Sequence, residues 1–166
     1  LQRQLERARF ERAFEVVEGL VDKKAFLNSA ELARINNILR GDQTDPWRNV
    51  PTNISIPGGK TVNLKVLADP IKTAKDILLR AKRKVASGEH REAAVFIYSQ
   101  FVLNHVFKDA NRRTAAIAAA YILRSCGYSV SAMGLHELGL GNLRDPRHMK
   151  ALHDTMDALI RLATRR

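Results

Sequence analysis

Two of the three Asp-Pro pairs, Asp69-Pro70 and Asp145-Pro146, each ahead of an amphipathic run, constrain this chain more than any other feature. An aspartate side chain accepts from the unpaired N–H groups of a first helical turn. A proline inside that turn loses nothing, because its missing N–H would have had no partner. Each pair therefore marks the start of a helix, one running from Pro70 to about Ala86 and one from Pro146 into the Arg165-Arg166 tail. Ser29 is expected to cap another, with Leu32, Ile35 and Leu39 on one face and Gly41 at its end. A further helix spans roughly His90 to Asn104, and the next starts near Asn111 and stops at Gly127. The only β signal is a pair of extended runs, NISI (Asn53 to Ile56) and KTVNLKVL (Lys60 to Leu67), separated by Pro57, Gly58 and Gly59. That is the pattern of a hairpin. The segment GDQTDPWRNVPTN before it is rich in turn residues and reads as an irregular connection. The expectation is a mainly α fold with one short hairpin, in a single domain over residues 1–166, with 1–28 as an N-terminal helical extension.

The length, 166 residues, suits about one domain, and 45% hydrophobic residues suffice for a core. The single cysteine, Cys126, excludes an internal disulfide framework and points to a reducing compartment. The opening LQRQLERARFERAFE is charged and amphipathic, unlike a secretory signal. The longest apolar run, AAIAAAYIL (Ala115 to Leu123), is too short to span a bilayer. A bacterial cytoplasmic protein with no membrane role is expected, and the absence of a first methionine suits a trimmed or partial chain. The net charge of +11 favours anionic partners without choosing among them. Its densest block, KRK at Lys82 to Lys84, reads as a solvated helix face. No aromatic residues interleave with it, so nucleic acid is a poorly supported partner.

Chemistry gathers in HVFKDANRRTAA, His105 to Ala116. The stretch links two long helices, with its polar residues at the mouth of the second. The first turn of a helix offers unpaired N–H groups and the positive end of the macrodipole, which together attract anions. Two arginines there, Arg112 and Arg113, oppose the dipole unless something negative occupies the site. They point about 100° apart, so they cannot both address one phosphate through the same face. Histidine is the side chain best suited to take a hydroxyl proton near neutral pH, and a carboxylate beside phosphates is the usual holder of magnesium. His105 and Asp109 supply both.

These residues resemble the active-site motif of the Fic/Doc (Fido) family, HxFx[D/E]GNGRxxR in the Fic branch and close to HxFxDANKRTA in the Doc, or death-on-curing, branch. His105, Phe107, Asp109, Asn111 and Arg113 match both forms. Ala110, Thr114 and Ala115 match the Doc form, with Arg112 where Doc has lysine. The resemblance implies a Fic-like helical bundle with a β-hairpin flap, and a transferase acting on a protein hydroxyl. In it His105 would be the general base, and Asp109 would hold Mg2+ against the phosphates of ATP. Ala110, Asn111, Arg112 and Arg113 would form the anion site. A flap over 53–67, through Ile54, Ser55, Ile56, Thr61, Val62 and Asn63, would align a target segment by strand pairing.

Two departures from the Fic form set the expected reaction. Arg112 replaces a glycine that leaves room for phosphates near the backbone, and Ala116 replaces the last arginine. Both move the reading from AMP transfer towards a Doc-like, toxin-type phosphoryl transfer from ATP to a serine or threonine of a target protein, with a translation factor as the candidate target. AMP or other nucleotidyl transfer is the alternative. An inactive basic module binding nucleic acid or an antitoxin is a third. Inhibitory helices of many Fic proteins read [S/T]xxxE[G/N]; here FEVVEG (Phe14 to Gly19) lacks the hydroxyl, and Ala116 removes the partner of Glu18. Control by a separate antitoxin-like protein fits better. His136, His148 and His153 lack metal-ligand spacing, and Arg48 in DPWR is a candidate helper at the nucleotide.

Overall fold

The computed structural model describes residues 1–56, 59–65 and 67–163. Its helices are α1 (Gln2–Asp22), α2 (Ser29–Arg40), α3 (Pro70–Ala86), α4 (His90–Asn104), α5 (Asn111–Ser125), α6 (Ala132–Glu137) and α7 (Pro146–Leu162). Strands β1 (Thr52–Ile56) and β2 (Lys60–Leu64) form one antiparallel hairpin, with Ile54 opposite Val62. The expected turn at Pro57-Gly58, Val66 within the expected second extended run, and the Arg165-Arg166 tail lie outside the described residues. The fold is mainly α with one hairpin, as expected.

α5 is the hub. Its residues from Thr114 to Leu123 are all buried, and it packs against α1, α2, α4 and α6. Alanine at 115, 116, 118, 119 and 120 lets those helices approach from several sides at once, which a helix with one polar face could not allow. α4 passes the core on to α3 and α7. α1 is more than an appendage, since Phe10, Ala13 and Val17 are in the core.

The two Asp-Pro starts behave as anticipated. Asp69 accepts from the Lys72 amide at 3.0 Å and Asp145 from the Arg147 amide at 2.9 Å. Gly41 and Gly127 both have the left-handed backbone expected at helix ends, with φ of 66° and 93°. The cap of α2 differs from the expectation. Asn28, not Ser29, accepts the Glu31 amide, at 2.8 Å, and Ser29 is the first helical residue. α6 was not foreseen at all. Among the described residues no helix is long and apolar enough to cross a membrane.

Candidate active site

α4 and α5 are joined by residues 105–110, and two of these non-glycine residues have left-handed backbones: His105 at φ 51° and Ala110 at φ 59°. Such a conformation costs an L-residue about 1–2 kcal/mol, so the surroundings must hold it. Three devices do so. The Asn111 side chain accepts the Phe107 amide and donates to the Phe107 carbonyl, both at 3.0 Å, clamping the loop across its own turn. From α2, the fully buried Asn36 donates to the Asp109 carbonyl at 2.9 Å and to Thr114 Oγ1 at 3.1 Å. From the irregular segment, residues 46–48 pair with 106–108. The Arg48 amide donates to Val106 and the Lys108 amide to Pro46, while Trp47 stacks on the buried Phe107 with ring centres 4.8 Å apart.

Arg48 itself is buried, and its guanidinium donates only to carbonyls: His105 at 2.6 Å, Asn104 at 3.3 Å, Val50 at 3.0 Å and Lys65 at 2.8 Å. The first two are orphan acceptors at the end of α4, where a cation also suits the macrodipole. The last two lie at the feet of the hairpin. One side chain therefore ties flap, helix and motif loop together, and it is committed there instead of reaching a nucleotide.

His105 closes α4. Its Nδ1 is sealed from solvent with no hydrogen-bond partner among the described residues. Burial pushes its pKa below the ordinary 6.5, and the charges of Arg48, Arg112 and Arg144 push the same way. The Val102 carbonyl opposes them without reaching hydrogen-bonding geometry to Nδ1. A neutral imidazole at neutral pH results.

Ala110 is the N-cap of α5 and supplies no side-chain cap, so the first-turn amides of that helix keep their affinity for an anion. Asn111 is buried by its hold on Phe107, with its side-chain oxygen taken by the Phe107 amide and its side-chain nitrogen donating to the Phe107 carbonyl. The two arginines diverge. Arg112 donates to the Gly141 carbonyl at 2.8 Å, in the loop before α7, whereas Arg113 donates to the Leu39 carbonyl at 3.2 Å, in the last turn of α2. Neither is within 4.0 Å of a carboxylate among the described residues.

The exposed Asp109 and the half-buried Arg113 border a cleft of about 480 Å³ between the start of α1 and the end of α2, with Glu6, Arg9 and Arg40 on its other walls. The Asp109 carboxylate has no partner among the described residues. No group of three acidic, histidine or cysteine residues suited to a metal occurs there. A lone open carboxylate fits magnesium shared with phosphate oxygens and water, the mode that ion prefers, and does not fit an all-protein cage. A second cleft of about 300 Å³, between α1 and α2, holds none of the motif residues. Glu18 is exposed, and Phe14 one turn before it lies under Arg124 at the far end of α5, so FEVVEG is part of an ordinary packed helix.

In the flap, Ile54 and Val62 share the half-buried face with Thr52 and Leu64, while Asn53, Ser55, Thr61 and Asn63 are exposed. No third strand covers either edge among the described residues. The residues missed by sequence reading are Asn36, Gly141 and Arg144. Asn36 alone left a signal, as an amide beside Ile35 among the apolar positions of α2.

Comparison with known proteins agrees with this fold. The model of the Fic/DOC family matches residues 26–123, more than half of the chain. A crystal structure of a Fic domain-containing signalling protein from Bacteroides thetaiotaomicron is similar to the chain, with a TM-score of 0.70 at 15% identity. That match covers 95% of this chain and 68% of the other. A Fic family protein from Desulfovibrio desulfuricans is similar with a TM-score of 0.61 at 18% identity, over 93% of this chain and 44% of its own length. At these identities the likeness is one of fold. No curated protein sequence matches the chain.

Proposed function

The chain belongs to the Fic/DOC family, whose members transfer nucleotide or phosphate groups to protein hydroxyls, and from that premise we propose that it moves the γ-phosphoryl group of ATP to a serine or threonine of a protein target. The observation that carries the phosphoryl reading is the side chain of Arg112. It stands where the Fic form of the motif has glycine, and its guanidinium is tied to the Gly141 carbonyl at 2.8 Å. A bulky cation in that first turn takes the space that phosphates would need close to the backbone, and it adds charge where a terminal phosphate is richest in oxygen.

The steps follow from residue chemistry. A target strand aligns along an open edge of the hairpin and presents its hydroxyl beside His105. The ring is neutral before the reaction, and because Nδ1 is sealed the proton passes to Nε2. The hydroxyl oxygen forms a bond to the γ-phosphorus as the bond from that phosphorus to the β-bridging oxygen breaks, and ADP leaves. Arg113 and the first-turn amides of α5 hold the non-transferred phosphates, and Asp109 would hold magnesium there. Magnesium, when bound, neutralises charge on the phosphate oxygens. Little covalent chemistry is asked of the protein, so the stiffness of the 105–110 loop is the main requirement.

Parallel incubations of the protein and a cell extract with γ-labelled and α-labelled ATP test the reading. Label from the γ position is expected on the target, with a mass gain of one phosphate. Transfer of the α label, with a mass gain of AMP, would make the protein a nucleotidyl transferase.

A further inference from the structure

Arg144 lies in the loop between α6 and α7, far in sequence from the motif, yet its charge reaches His105 alongside that of Arg112. Its guanidinium is exposed and reaches only the Leu103 carbonyl in the last turn of α4, at 3.5 Å. No carboxylate is within 4.0 Å of it among the described residues. The loop that carries it is held at both ends. Arg112 grips the Gly141 carbonyl, the Asn142 amide donates to His148 Nδ1 at 2.7 Å, and the Arg144 amide donates to Asn142 Oδ1 at 3.1 Å. Gly141 has φ 77°, and a Cβ there would come within 2.6 Å of the His148 ring. Two cations thus bear on the imidazole, Arg112 from the first turn of α5 and Arg144 from the loop that Arg112 grips and against the last turn of α4, and neither has a carboxylate partner among the described residues.

We propose that Arg112 and Arg144 form a clamp beside His105 for the terminal phosphoryl group of a nucleoside triphosphate. This rests on the transferase reading above and adds a residue outside the motif. An attacking hydroxyl next to His105 needs its phosphorus in reach of the same ring, which puts the transferred group between the two arginines. A terminal phosphoryl group has three non-bridging oxygens and close to two negative charges, enough for both guanidinium forks. An internal phosphate has two such oxygens and one charge, and would leave one fork unsatisfied. Arg113 and Asp109, on the α2 side, are left to the inner phosphates.

Binding of magnesium ATP and magnesium ADP to the whole chain, measured by calorimetry, tests the clamp. Wild type is expected to prefer ATP. R144Q should weaken ATP by about tenfold, the effect of one charge-assisted hydrogen bond, and leave ADP unchanged. R113Q should weaken both nucleotides together. Equal weakening of ATP and ADP in R144Q, no weakening of either, or a wild type indifferent between them would each overturn the clamp. The label assay is read separately. Transfer of the γ label without a selective loss of ATP binding in R144Q would sink the clamp alone, whereas transfer of the α label would put a different phosphorus beside His105 and sink the phosphotransfer reading and the clamp that rests on it.

Discussion

A histidine that is to take a proton must be neutral beforehand, and His105 is kept so first by burial and then by the arginines around it. The sign of the resulting pH dependence can be worked out. The folded pKa is below the ordinary 6.5, so between those values the unfolded chain binds more protons than the folded one. Stability from the neutral ring is therefore complete above 6.5 and is lost as pH falls towards the folded value. His136, lowered by burial and next by Arg113, acts in the same direction. The expected kcat/KM profile has a rising limb below 6.5 and is flat at neutral pH. His105→Asn, which tolerates the left-handed backbone, should cut kcat by roughly 10²–10⁴-fold. It should also reduce the fall in Tm between about pH 7.5 and about pH 5, measured calorimetrically. A rising limb centred above 6.5 would assign the base to another group. The identity of this histidine was legible because the motif is contiguous. Its support was not: Asn36 reaches the motif loop from more than seventy positions away, and nothing local to residue 36 says which loop its amide will meet.

Between elements, Arg48 replaces what would otherwise be several separate contacts. Arg48→Met keeps most of the buried volume but leaves four carbonyls at the junction of hairpin, α4 and motif without their donor. Unfolding in urea should show a loss of about 2–4 kcal/mol, since buried acceptors are left unmade. A loss below about 0.5 kcal/mol would mean that water replaces the guanidinium without cost. The hairpin is tested differently. Val62→Pro distorts β2 and removes an N–H from the strand. Target modification is expected to fall while nucleotide binding, measured by calorimetry, stays near wild type; loss of both together would make the hairpin a structural element. Helix starts with Asp-Pro were readable because cap and proline are adjacent in sequence. The start of α2 was misplaced by one residue because Asn28 and Ser29 are both able caps. Glu31 decides it, standing three residues after Asn28, where its amide meets that side chain. The short α6 carries too few residues to establish a period.

Across the whole molecule, the site is divided between parts of unequal permanence. The mouth of α5, with its arginines, is the first turn of the same helix whose Ala115–Leu123 segment is surrounded by α1, α2, α4 and α6. The proposed target edge is a two-stranded hairpin with exposed residues along both strands and, among the described residues, no third strand beside it. Sequence patterning pointed to both pieces but not to their inequality, because burial of an alanine run depends on helices far along the chain. The inequality has a kinetic meaning. Backbone amides from Ala115 to Leu123 should exchange with deuterium only when the entire protein unfolds, whereas those of β1 and β2 should exchange through local opening at a much smaller free energy. The half of the site that would hold phosphate is then as long-lived as the fold itself. The half that would receive the target opens and closes many times within that lifetime.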